Sequence, residues 1–219
     1  MDIHSRPVHI YRWIVFLLAA GYCLYQMVAG QWGGPGGPFR YLTIWALFLS
    51  FYAASRMLAL TEHRITRHHE VTAMCAAVLN VMVVFLYWRL YFSDPGLVNG
   101  GNRIIWWLEY YLHALGPALQ LIDALLIGRV FRRVWRAVLP LIAIIVAYVA
   151  WAELFVQRFN AKPEGTVTSG LPYPFLNSMD WGERLTFYLF NGGTAVALLA
   201  LFGLIGAVLY RVWRPQIPA

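Results

Sequence analysis

The residues that could do chemistry are spaced along one apolar stretch, Trp106 to Asp123, where Glu109, His113, Gly116, Gln120 and Asp123 recur at steps of three and four. At roughly 100° per residue these five fall within about 80° of one another. One side of such a helix is polar and its flanks are Leu, Ile and Ala. A neutral imidazole is a general base, a carboxylate four residues before it can orient the ring, and carboxamides can donate to a developing oxyanion. Ionisable side chains are expensive against hydrocarbon, so their presence in a membrane helix points to a functional face that looks into protein or a cavity. Pro117 adds a local consequence. It has no N–H for the carbonyl four residues back, which is that of His113, so a kink and an unclaimed acceptor are expected beside the imidazole.

The surrounding chain explains why such a stretch would sit in a membrane. Of the 219 residues 60% are hydrophobic and only 12% charged, a balance foreign to soluble domains. Apolar runs approach or exceed the roughly 20 residues that cross a bilayer as a helix. They predict an all-α polytopic membrane protein, one six-helix bundle over the whole chain, with spans at about 11–29, 39–60, 71–92, 104–127, 137–157 and 185–210. The N-terminal run is too long for a signal peptide and lacks a clean cleavage site, so it is expected to be a retained first span. Gly30 to Pro38 and Ser93 to Asn102 are turn-rich connectors.

Arg40, Arg89, Arg103, Arg158, Lys162 and Arg184 fall on one side of that arrangement and the remainder of the 17 Lys and Arg residues on the other. Basic residues concentrate in cytoplasmic loops, so both termini are expected to be cytoplasmic and the connector Arg158–Arg184 on the far side. The net charge of +7 is thereby topological, and nucleic acid is not an expected partner. Lys162 is the sole lysine against many arginines, a bias of GC-rich bacterial genomes that points to a bacterial inner membrane. Cys23 and Cys75 lie inside spans as packing residues. Within the connector, Leu171-Pro172-Tyr173-Pro174-Phe175-Leu176 is too apolar for a solvated tether and is expected to fold back over the end of the bundle.

The second span supplies a partner face. Thr43, Ala46, Ser50 and Ala54 follow at steps of three and four, a seam of small residues that lets helix backbones approach closely. By itself Thr43 reads as a hydroxyl bonded to its own preceding turn or to a neighbouring helix rather than as a nucleophile. Asn80 and Asn191 are mid-span amides, like Gln120, that could serve as oxyanion donors or simply bond between helices.

Three short motifs resemble the androgen-induced membrane proteins, a family of six-span threonine hydrolases acting on fatty acid esters of hydroxy fatty acids. They are Gly36-Gly37-Pro38-Phe39-Arg40-Tyr41-Leu42-Thr43 at the entry to the second span, Trp107 to His113 with Pro117, and Tyr173-Pro174-Phe175-Leu176. The resemblance implies Thr43 as nucleophile, His113 as its base, and a long-chain acyl ester as substrate among membrane lipids. The supporting candidates from the residues themselves are Glu109, Gln120, Asp123, Asn80 and Asn191. One difficulty is depth: Thr43 stands five residues past Pro38 and His113 ten past Arg103, so they meet only if the helices tilt or the span boundaries err by a turn.

Rival chemistries find less in the sequence. A haem protein would want a second intramembrane histidine, and a metal-dependent lipid enzyme several; only His113 lies within a span. His63, His68 and His69, with Glu62 and Glu70, form a cluster between spans, but His63 and His68 are five apart and do not share a helical face. Neither metal nor cofactor is expected. The alternative from a different class is a non-enzymatic lipid-binding or transport bundle that uses the same polar face.

Overall fold

In the computed structural model, residues 2–99, 104–160 and 170–212 are described. Arg103, Lys162, Gly165 and Arg214, used in the topological reading, lie outside them. Six helices are long and apolar enough to cross a membrane: α1 (Arg6–Ala29), α2 (Leu42–Thr61), α3 (Glu70–Ser93), α4 (Trp106–Ile127), α5 (Trp135–Phe159) and α6 (Trp181–Val212). The chain is an integral membrane protein built as one helical bundle.

The helix ends follow local chemistry. Pro7 starts α1 and Gly30 follows its last residue. A 3-10 turn, Gly37–Arg40, carries Pro38 near its start, and an extended Tyr41 then admits α2 at Leu42. The second span was expected from about residue 39 and the fourth from about 104; α2 and α4 begin at Leu42 and Trp106. The later start of α2 follows from the 3-10 turn before it, in which Tyr41 N–H donates to the Pro38 carbonyl at 3.2 Å.

The architecture is centred on α3. Every residue from Ala73 to Asn80 is buried, and a helix covered on all sides must lie inside the bundle. Its small residues there (Ala73, Cys75, Ala76, Ala77) let neighbours come close. In contrast α5 and α6 carry Leu139 at 76%, Leu154 at 71% and Leu189 at 67% exposure, the apolar faces that a bilayer would cover. The seam on α2 does face inward. Ala46, Ser50 and Ala54 are buried, and Ser50 is where three helices are joined. Its hydroxyl donates to the Ala46 carbonyl at 2.8 Å and accepts from Asn80 of α3 at 2.6 Å. Its carbonyl accepts from Gln120 of α4 at 3.1 Å.

A further polar tie inside the bundle joins α1 to α4. Arg12, counted with the basic residues of the cytoplasmic side, is 1% exposed. Its Nη2 and Nε donate to the two carboxylate oxygens of Asp123 at 2.8 and 3.1 Å. Its Nη1 donates to the Met57 carbonyl at 2.9 Å and to the Thr61 hydroxyl at 2.8 Å. Asp123 therefore belongs to a two-pronged ion pair that pins three helices, since a charge with no water nearby must be met by another charge and by backbone carbonyls.

Removing one member leaves the other charge stranded. Asp123→Ala is expected to destabilise the protein by about 3–5 kcal/mol, read as a lowered midpoint of unfolding in detergent. The double change Arg12→Met with Asp123→Leu should recover most of that loss, and a double variant no more stable than Asp123→Ala alone would count against the account.

Candidate functional site

Thr43 is the second residue of α2, and the turn before it explains its position. Gly36 (φ +79°) and Gly37 (φ +48°) both adopt left-handed backbone, and a Cβ on Gly37 would come 2.6 Å from the ring of Trp32. Only glycine fits there. The turn is then braced by the fully buried Arg40, whose Nε donates to the Gly37 carbonyl at 2.9 Å and Nη2 to the Gln31 carbonyl at 3.2 Å. The Phe39 carbonyl accepts from the indoles of Trp45 (2.8 Å) and Trp151 (3.1 Å). Tyr148 donates to the Arg40 carbonyl at 3.0 Å, and the first amide of α2, Leu42 N–H, donates to the Tyr173 hydroxyl at 3.3 Å.

That last bond reaches across from the connector. Leu171 and Leu176 are buried against Ala152 and are joined by Tyr173, Phe175, Phe187 and Tyr188. The apolar segment thus packs back on the bundle as expected, and Pro172, Tyr173, Phe175 and Leu176 wall the cavity beside Thr43. Burial pushes the Tyr41 phenol up to about 12 and raises that of Tyr173 as well. Both stay protonated near neutral pH and remain hydrogen-bond donors.

His113 sits where α4 departs from regular geometry. The turn Tyr111–Leu115 is a π-helix, one residue wider than α, as happens where a ring such as Pro117 prevents the ordinary i to i−4 bond. The His113 carbonyl that Pro117 leaves unclaimed accepts from the Trp88 indole at 2.7 Å. The imidazole is 5% exposed, with the ring of Tyr87 edge-on at a centroid distance of 3.6 Å. Its Nε2 lies 3.7 Å from the Glu109 carboxylate, while Nδ1 is buried without a hydrogen-bond partner.

Thr43 and His113 both line a single cavity of about 300 Å³, together with Glu109, Asn191, Tyr148 and Tyr188. Both residues reach this cavity although Thr43 stands one residue past the start of α2 and His113 seven past the start of α4. The half-buried Thr43 hydroxyl makes no hydrogen bond among the described residues. Asn191 donates to the Phe187 carbonyl at 2.8 Å, which fixes its amide and leaves Oδ1, an acceptor, buried without a partner. Its second N–H is the donor it has left. Gln120, Asn80 and Asp123 do not line this cavity; the first two meet at Ser50 and the third holds Arg12. Sequence reasoning named Tyr173 only within the connector motif and did not single out Tyr148, Trp88 or Tyr87 as neighbours of the site.

A family model described as FAR-17a/AIG1-like protein matches residues 9–210, nearly the full chain. The chain belongs to the FAR-17a/AIG1-like family. This is the family the three motifs resemble, and the match takes in all of them. No curated protein and no solved structure matches the chain.

The Trp88 bond offers a check on how this family member holds its histidine. Trp88→Phe keeps most of the ring and removes the indole N–H, leaving the His113 carbonyl without its donor in a dry interior. A stability loss of about 1–3 kcal/mol is expected, measured by thermal unfolding in detergent. An unchanged midpoint would mean that water or another donor takes over.

Proposed function

We propose that this protein is an intramembrane lipid ester hydrolase in which Thr43 is the nucleophile and His113 the general base. The observation that carries the reading is that Thr43 and His113, seventy positions apart, line one largely apolar cavity with an unpartnered threonine hydroxyl and an unpartnered imidazole nitrogen. The family's known members, as the motifs suggest, use these positions in the same way on fatty acid esters of hydroxy fatty acids, and long-chain acyl esters of that kind are the substrates we infer.

The chemistry balances with the groups present. Thr43 Oγ1 attacks the ester carbonyl as His113 takes its proton, and the C–O bond to the alcohol breaks as the imidazolium returns that proton to the leaving oxygen. Water, with its proton again taken by His113, then releases the acid from the acyl-threonine. Glu109 at 3.7 Å from Nε2 steadies the ring and its transient charge, and Nδ1 is the nitrogen free to accept. At about 300 Å³ the cavity is at the small end for ligand sites. It suits the ester and the first part of its chains, the remainder lying between the helices and in the bilayer.

Groups that act as one unit are non-additive. Thr43→Val, His113→Ala and their double variant should each lower ester hydrolysis by at least roughly 100-fold to a common residual rate, whereas Thr43→Ser retains part of the activity. An acylating probe should label wild type and not Thr43→Val. Full activity in a well-folded Thr43→Val overturns the mechanism. Absence of any adduct or turnover would favour the lipid-binding or transport alternative. We also infer a bacterial inner membrane with both termini cytoplasmic; a reporter fused after Gly165 should then be found outside the cytoplasm, and a cytoplasmic signal from it sinks the topology.

A further inference from the structure

At the other end of the bundle a second cavity of about 230 Å³ lies between the end of α2, the start of α3 and the chain leaving α4. Thr43 and Thr61 mark opposite ends of α2, roughly 27 Å apart at 1.5 Å per residue, so this cavity is remote from the ester site. Its charged lining is Arg12, His68, Glu70, Arg129 and Arg132. The Arg12 charge is already met by Asp123.

Arg129 is the unusual member. It has a left-handed backbone, φ +49°, at the point where Val130 N–H bonds back to Ala124 at 2.9 Å and closes the helix end. That position ordinarily takes glycine, yet here Gly128 stands one residue early and an arginine occupies it. Its guanidinium has no hydrogen bond or ion pair among the described residues. Arg132 lies over the ring of Tyr210 at 4.6 Å, which fixes its plane and leaves its N–H edge available. The cavity therefore carries two guanidiniums with no ion pair among the described residues, the exposed Arg132 and the partly buried Arg129, beside the single carboxylate of Glu70.

We propose that this cavity binds the phosphodiester headgroup of an anionic glycerophospholipid, with the phosphate between Arg129 and Arg132 and Glu70 accepting a headgroup hydroxyl. The charge balance selects the ligand. Arg129 and Arg132 against Glu70 leave one positive charge when histidine is counted as neutral, matching a singly charged diester and not a doubly charged phosphomonoester. Location selects the source, because α2, α3 and α4 all begin or end beside the cavity, at the level where headgroups meet a spanning bundle.

The test uses the purified full-length protein in dodecyl maltoside, with retained lipid read by native mass spectrometry. The probes are phosphatidylglycerol, phosphatidylethanolamine, phosphatidate and inorganic phosphate. Wild type should retain phosphatidylglycerol about tenfold better than phosphatidylethanolamine or phosphatidate. Arg129→Gly suits the left-handed backbone and should fold at least as well, yet lose about tenfold in phosphatidylglycerol retention. Arg132→Gln carries the same expectation if that variant fails to fold. Arg133→Gln, exposed in the same connector and outside the cavity, should change nothing measurable. Undiminished retention by Arg129→Gly overturns the proposal, as does an equal loss in Arg133→Gln, a preference for phosphatidate, or displacement of the lipid by inorganic phosphate at similar concentration.

Discussion

The interior of this bundle is shielded from bulk water, so polar groups carried into it are stabilised when another part of the chain meets them. That constraint accounts for most of the specific contacts between helices. Ser50 gathers Asn80 and Gln120, Arg12 gathers Asp123, Met57 and Thr61, and Trp88 caps the carbonyl that Pro117 frees. These ties join α1, α2, α3 and α4, while α5 and α6 are joined to each other through Glu153, which pairs with Arg184 at 3.0 Å and accepts from Tyr188 at 2.8 Å. Among the described residues, His113 Nδ1, Asn191 Oδ1 and Arg40 Nη1 are buried without hydrogen-bond partners; His113 and Asn191 line the cavity and Arg40 does not.

The same constraint gives the helical irregularities a purpose. Proline in α4 costs a backbone bond, and the π turn at Tyr111–Leu115 widens the helix exactly one turn before it, so that His113 is held by an indole from α3 instead of by its own helix. A second π turn, Asp123–Ile127, follows after the seven regular helical residues Gly116–Ile122 and hands the chain to the left-handed Arg129. One helix thus carries a distorted turn at each of the two cavities, with the Arg12–Asp123 pair between them. Because that pair lies at the boundary of the second cavity, it separates the apolar cavity lined by Thr43 and His113 at one end from a cationic pocket at the other.

The connector before α6 shows how a short motif becomes tertiary structure. Tyr173-Pro174-Phe175-Leu176 is stiff and apolar, and its burial against α5 and α6 was foreseeable. That Tyr173 would accept the first amide of α2, one residue from Thr43, was not, because the bond joins positions 131 residues apart. It couples the segment that walls the cavity to the helix that presents the hydroxyl.

What the sequence determined by itself was the class and the local chemistry. Hydropathy over windows of helical length set six spans, since crossing a bilayer demands about 20 apolar residues whatever their neighbours. The three- and four-residue spacing set a polar face on α4 and a small seam on α2, and Pro117 predicted an unclaimed carbonyl at His113. What only the tertiary structure decided was which polar residues meet. Glu109 and His113 border the cavity, while Gln120 and Asp123, on the same helical face, are taken up by Ser50 and Arg12; periodicity gives a direction around a helix but not what stands opposite at each depth. Likewise Arg12, by its position an ordinary anchor at the start of a span, is buried because a carboxylate from α4 arrives at its level. The pairing of partners across helices depends on tilt and register, and these are set by packing around α3, whose small, uniformly apolar residues carry no periodic signal at all.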